Sequence, residues 1–289
     1  MDTPMPEASG FDHLTIATRG LASHVAVVGE GAPVVMLHGF PQHWWQWRDI
    51  GPRLAERGYR VICPDLRGAG WTVAESPRIE RETRRHDLVA LLDAMGFDRV
   101  RLVGHDMGAM AAMQLAYTDP ERVEALVWLA APPPFMSFSP KMLGALRHLP
   151  PLVWHRPGRS LAAIFGEAYA VRPLAPVTVE TYLAPMRRPE VDAAVRWLYR
   201  GMVLPEAVRI ARGAYTAQRL RPPTLCAFGR RDGAYSEADL RRLTGDPTRY
   251  ADHFEFAFID DASHFITDDA PEAVSEVILE HFARADASA

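Results

Sequence analysis

Residues 103–108 read Val103-Gly104-His105-Asp106-Met107-Gly108, placed between an apolar run over 99–103 and a run of small residues over 107–117. The first run predicts a buried strand and the second a helix, so these residues form a strand-to-helix turn of the form Gly-x-Asp-x-Gly. The two glycines let the chain turn sharply and let helix and strand approach closely. The residue between them is left exposed above the sheet, at a helix N-terminus whose partial positive charge favours an anion. A serine in that place attacks carbonyl carbon. An aspartate is suited to displacement at a saturated carbon, which gives an alkyl ester of the protein. Aspartate is also a common helix cap, and six residues alone do not choose between the cap and the nucleophile.

On both sides of this turn, strand-like and helix-like segments alternate, as in a mostly parallel sheet covered on both faces. Two alternating segments, 13–18 and 24–28, predict an antiparallel hairpin at one edge. Continuous apolar runs at 33–37, 60–63, 99–103, 123–129, 224–228 and 254–259 predict six further strands. Helices are expected at 79–95, 107–117, 236–243 and 271–282. After the sixth strand Ala131-Pro132-Pro133-Pro134 stops the rhythm, and no strand follows until Thr224. So long a connection is improbable as a structureless loop and reads as a helical insertion. The expected fold is therefore α/β: a mostly parallel eight-stranded sheet, its core made of 1–134 and 222–289, interrupted by helices over 135–221.

Two more reactive residues stand just past predicted strands, where open α/β sheets assemble their sites. Asp232 closes Phe228-Gly229-Arg230-Arg231-Asp232, and His264 lies in Asp261-Ala262-Ser263-His264-Phe265. The order nucleophile, acid, histidine suits a base, His264, oriented by Asp232. His38-Gly39-Phe40-Pro41 follows the third strand. Its backbone can set the Phe40 N–H opposite the Met107 N–H as an oxyanion hole, with His38 ordering the loop. His105, His253 and His281 read as structural.

With Pro64-Asp65-Leu66-Arg67-Gly68, these motifs make the chain resemble the epoxide hydrolase and dehalogenase branch of the α/β-hydrolase superfamily, over essentially 13–282. The resemblance implies that 135–221 form a cap domain above the site, whose side chains donate hydrogen bonds to the opening epoxide oxygen. One donor in that branch is a Tyr in a Trp-Tyr-Arg-like motif. Trp197-Leu198-Tyr199-Arg200 is similar with one residue inserted, which points to Tyr199. Val153-Trp154-His155 resembles the site of the other donor, with His155 ahead of Trp154; Tyr169, Tyr182 and Tyr215 are competitors. Met107 departs from the Trp that most epoxide hydrolases carry after the nucleophile, although only its backbone N–H is required there. It also argues against dehalogenases, because a thioether has no N–H for a departing halide. Haloacetate dehalogenases resembling this chain use Arg at the positions of Met107 and Met110. The implied reaction is epoxide hydrolysis to a vicinal diol through an Asp106 ester. A dehalogenase using the same aspartate and an inert binding protein on this fold are the alternatives. Trp44, Trp45, Trp47, Phe40, Met107, Phe135 and Met136 suggest an apolar pocket, with Trp44, Phe135, Trp154 and Tyr215 as expected lining.

Composition narrows the class. The chain has 289 residues, a formal net charge of −4 and no basic block, which argues against nucleic-acid binding. No run approaches the ~18 apolar residues a membrane helix needs. Residues 1–10 lack the pattern of a secretory leader and read as a tail. Cys63 and Cys226 sit in strand-like runs without metal-ligand spacing and read as buried thiols. The expectation is a cytoplasmic monomer or homodimer acting on a small apolar epoxide and water, with no metal or cofactor.

Overall fold

The computed structural model describes residues 3–137, 149–166, 170 and 172–288. Its strands are β1 (Asp12–Thr18), β2 (Leu21–Val28), β3 (Ala32–Leu37), β4 (Tyr59–Pro64), β5 (Val73–Ala74), β6 (Val100–His105), β7 (Val123–Leu129), β8 (Thr224–Gly229) and β9 (Phe254–Ile259). Eight lie in the order β1-β2-β4-β3-β6-β7-β8-β9, and the two-residue β5 pairs with β2. β1 and β2 form the edge hairpin, β2 joins β4 antiparallel, and every later pairing is parallel. The expected eight-stranded sheet is thus present. The ninth strand is too short to leave a periodic signal.

The apolar runs bury residues on both faces. Val35 and Leu37 of β3 join one core while Val34 and Met36 join the other; Leu126 and Trp128 of β7 are likewise opposed to Val127 and Leu129. Each such buried side chain contributes about 1.5–3 kcal/mol. In chain order, α1 (Gly51–Ala55), α2 (Thr83–Ala94) and α3 (Met107–Thr118) precede β7. Between β7 and β8 the named elements of the described residues are all helical, the longer ones being α4 (Leu149–Val153), α5 (Pro176–Leu183), α6 (Pro189–Trp197) and α7 (Leu204–Ala211). Then come α8 (Glu237–Thr244), α9 (Ile266–Asp269) and α10 (Pro271–Ser288). α2 and α3 cover the first core; α1 and α10 cover the second.

Two details differ from expectation for identifiable reasons. The helix expected from residue 79 starts at Thr83. Ile79 is instead held as irregular chain, its carbonyl so close to Gly201 that a Cβ there would come within 1.9 Å. Glycine at 201 is what lets the insertion settle on this segment. α6 continues into α7 through a wide π turn, Leu198–Val203. That turn falls where Trp197-Leu198-Tyr199-Arg200 has one residue more than the motif it resembles, and a wide turn is how a helix absorbs one extra residue. Cys63 and Cys226 are buried free thiols, pushed well above the ordinary range by burial. Among the described residues no helix is long and apolar enough to cross a membrane.

Candidate active site

β6 ends at His105 and α3 begins at Met107, leaving Asp106 alone at the corner with φ 47° and ψ −114°. A non-glycine residue held there is strained by about 1–3 kcal/mol, and such strain tends to collect at functional sites. The flanking glycines are obligatory on steric grounds. A Cβ at Gly104 would lie 2.6 Å from the Ala109 Cα, and one at Gly108 would lie 2.2 Å from the Leu37 carbonyl oxygen. The Asp106 N–H donates to the Leu129 carbonyl at 3.1 Å, tying the corner to β7. Its side chain makes no capping bond to α3. Instead Oδ2 accepts from the Phe40 N–H at 3.1 Å. The geometry is not that of a helix cap.

The loop after β3 supplies that N–H. His38 is fully buried, and burial holds its pKa down to about 3 against the favourable Asp65 charge and the Gly39 carbonyl, so the ring is neutral. Its Nδ1–H donates to the Gly39 carbonyl at 2.8 Å, and its Nε2 accepts from the Leu66 N–H at 3.0 Å. Both nitrogens are committed, so His38 orders the loop and has no proton to exchange. The Gly39 N–H donates to Gln46 Oε1 at 2.9 Å, and the Phe40–Pro41 bond is cis. Met107, as the first residue of α3, has an N–H with no acceptor inside its helix, facing the same corner.

His264 and Asp232 arrive from the ends of β9 and β8. Asp232 is buried; Oδ1 accepts from the Ala234 N–H at 2.8 Å, and Oδ2 lies 3.6 Å from His264 Nδ1. That distance is longer than a hydrogen bond, and such bonds commonly tighten only when substrate is present. Burial lowers the basicity of His264, but the Asp232 carboxylate and the nearby Asp106 charge more than offset it, so its pKa is raised above 6.5. His264 is therefore a stronger base than a free imidazole. Its backbone is held by His105, whose Nε2–H donates to the His264 carbonyl at 2.9 Å. Burial, with the His264 charge adding to it, pushes the His105 ring down to about 4 and keeps it neutral.

Asp106 and His264 open into a cavity of about 300 Å³ between the sheet ends and the helical insertion. Tyr199 and Tyr235 are the phenols on its wall, and the rest is largely apolar. Tyr199 is 3% exposed and meets the Phe40 ring edge-on at 5.3 Å. Beneath lies a buried guanidinium, Arg84, which donates to the Arg67 carbonyl at 2.9 Å. Burial holds it down to about 10 in spite of the charges of Asp87, Tyr199 and Asp106.

Known proteins share this fold. A sequence profile of the alpha/beta hydrolase fold matches residues 32–153. The crystal structure of an epoxide hydrolase from Vigna radiata superposes with a TM-score of 0.77 at 27% identity, covering 95% of this chain and 99% of the other. The chain has the α/β-hydrolase fold. In sequence it resembles Epoxide hydrolase 2 of Siraitia grosvenorii, 49% identical over 123 residues, 42% of this chain and 39% of that one. The matched part therefore spans about two fifths of that relative's length. Over nearly the whole chain it is 27% identical to an AB hydrolase superfamily protein, YfhM, of Bacillus subtilis, covering 92% of this chain and 96% of the other.

On this fold the chain brings Asp106, His264, Phe40, Met107 and Tyr199 to one cavity, with Asp232 behind His264. Other sequence-predicted residues lie elsewhere. His155 is buried, but its Nε2 is paired with the Asp192 carboxylate and it is not part of the cavity wall. Trp154 is 64% exposed on the outer surface. Trp44 is buried in the second core against Phe11 and His13. Phe135 stacks on Tyr250 in the first core, and Tyr215 donates its hydroxyl to Glu206. Tyr182 donates to Asp268 at 2.8 Å, whereas Tyr169 lies outside the described residues. Sequence reasoning missed Tyr235, three residues beyond Asp232, and the lining by Met110 and Met113, whose spacing puts them on one face of α3 with Met107.

Proposed function

We propose that the protein is an epoxide hydrolase working through a covalent ester at Asp106, with the helices over 135–221 as the cap of the site. The carrying observation is a carboxylate, not a hydroxyl, at the strained corner, accepting from the Phe40 N–H and sharing a cavity with Tyr199 and His264. One Asp106 oxygen attacks a ring carbon from behind as the C–O bond breaks, and the departing alkoxide takes the Tyr199 phenolic proton. His264 then removes a proton from water, whose oxygen adds to the ester carbonyl. The Phe40 and Met107 N–H groups hold the tetrahedral oxyanion. Collapse breaks the acyl C–O bond, releases the vicinal diol and regenerates the carboxylate; the His264 proton returns to the Tyr199 phenolate. Asp232 keeps the imidazole oriented throughout. The site acts on a small apolar epoxide and water, and these steps need no metal or organic cofactor.

This sequence has a distinctive isotopic consequence. In ¹⁸O-water with excess enzyme, the first diol should be unlabelled, because its new oxygen comes from Asp106, and the label should appear in the protein. Label in the diol of the first turnover would mean direct attack by water.

A further inference from the structure

The cavity has a shape as well as a chemistry. Asp106 and Met107 stand at one end beside Tyr199, which touches Phe40. Eight residues further along α3, Gln114 Nε2 donates at 2.9 Å to Oε2 of Glu206, seven residues beyond Tyr199. Glu206 is itself fully buried and also receives the Tyr215 hydroxyl and, at 3.2 Å, Arg81 Nη1. α3 and the helical run through α7 therefore lie alongside each other in the same direction, pinned at both ends. Between the pins each offers one lengthwise stripe. On α3 it is Met107, Met110 and Met113; on the insertion it is Val203, Ala207 and Ile210, beyond Tyr199.

At 1.5 Å per residue, the methionine stripe runs about 9 Å from the reacting corner. An extended chain advances about 1.2 Å per bond, so this run holds roughly seven bonds. Polar side chains of the catalytic set gather at the Asp106 end, and no arginine or lysine is among the described lining residues. The far end thins at Ala207, a small and exposed residue on α7. Thioethers on one wall and branched aliphatics on the other suit a flexible apolar occupant better than a rigid or charged one.

We infer that this cavity is a slot for a straight apolar chain, selecting epoxides whose ring carries an unbranched alkyl tail of about seven carbons laid along Met110 and Met113 toward Ile210. The inference rests on the epoxide reading only for the reacting end.

The test is kcat/KM for terminal epoxides from 1,2-epoxybutane to 1,2-epoxydodecane, with binding of 1-butanol to 1-decanol by calorimetry in parallel. Both series should climb about fourfold per methylene and level off near seven tail carbons. Ala207→Trp, a change at an exposed helix position, should cut the preference for epoxynonane over epoxybutane at least tenfold and flatten the alkanol series. Turnover of several epoxides without any chain-length trend, or a trend that Ala207→Trp leaves untouched, overturns the slot. If no epoxide is turned over while alkanol affinity still climbs and still collapses in the variant, the slot stands and the epoxide reading falls. A flat alkanol series overturns the slot whatever the turnover.

Discussion

The strand ends and the helical insertion face each other across one cavity, yet they hold their functional groups in different ways. At the strand ends, Asp106, Asp232 and His264 are each carried by a short turn leaving a parallel strand. Their placement follows from backbone constraints that leave marks in sequence: glycines at 104 and 108 where a Cβ would strike backbone, and loops that begin as strands end. In the insertion, a side chain's role depends on which partner it finds across many residues of chain. Tyr199 finds the cavity, whereas His155 finds Asp192, thirty-seven positions on. The lesson is that a site built on sheet corners can be read locally, while one built on packed helices is decided by long-range pairing.

That contrast can be sharpened at Tyr199. Losing a hydrogen bond made only in the transition state costs about 2.7–4 kcal/mol. Tyr199→Phe should thus slow ester formation roughly a hundredfold to a thousandfold while hydrolysis of the ester is nearly unchanged. Rapid-quench measurement of the two steps checks this. Equal, small effects on both would make Tyr199 a packing residue, with Tyr235→Phe the next variant to measure.

His155 should behave in the opposite manner. Leaving a buried carboxylate without one of its hydrogen-bond partners typically costs about 1–3 kcal/mol, so His155→Leu should lower the denaturant midpoint while the enzyme that remains folded forms the ester at nearly the wild-type rate. Unchanged stability together with a slow first step would restore His155 as a donor and break the contrast.

The fold itself was legible because apolar runs, proline breaks and turn glycines report on the backbone directly. The succession of strands along the chain and the hairpin at one edge followed from them, whereas their order across the sheet did not. Aromatic residues were less legible. Trp44 and Phe135 read as pocket residues because an apolar ring next to a catalytic motif looks the same whether it faces a cavity or a sheet; here both face the sheet cores. Tyr215 was misplaced because its partner, the buried Glu206, reads from sequence as an ordinary charge on a helix surface. The methionine stripe was visible in spacing, but a stripe on a helix flanking a sheet usually means core. Its second role appears only once α7 is seen lying beside α3.

The central claim is that Asp106 becomes covalently bonded to substrate and that His264 is needed only afterwards. His264→Gln keeps the nucleophile, the oxyanion donors and Tyr199, but removes the base that activates water. Mixed with a straight-chain terminal epoxide, this variant should gain one substrate mass by intact-protein mass spectrometry, with the modification on the peptide containing Asp106 and no steady diol production. An epoxide that the wild type hydrolyses but that leaves the variant unmodified, or modified anywhere other than Asp106, would contradict the account.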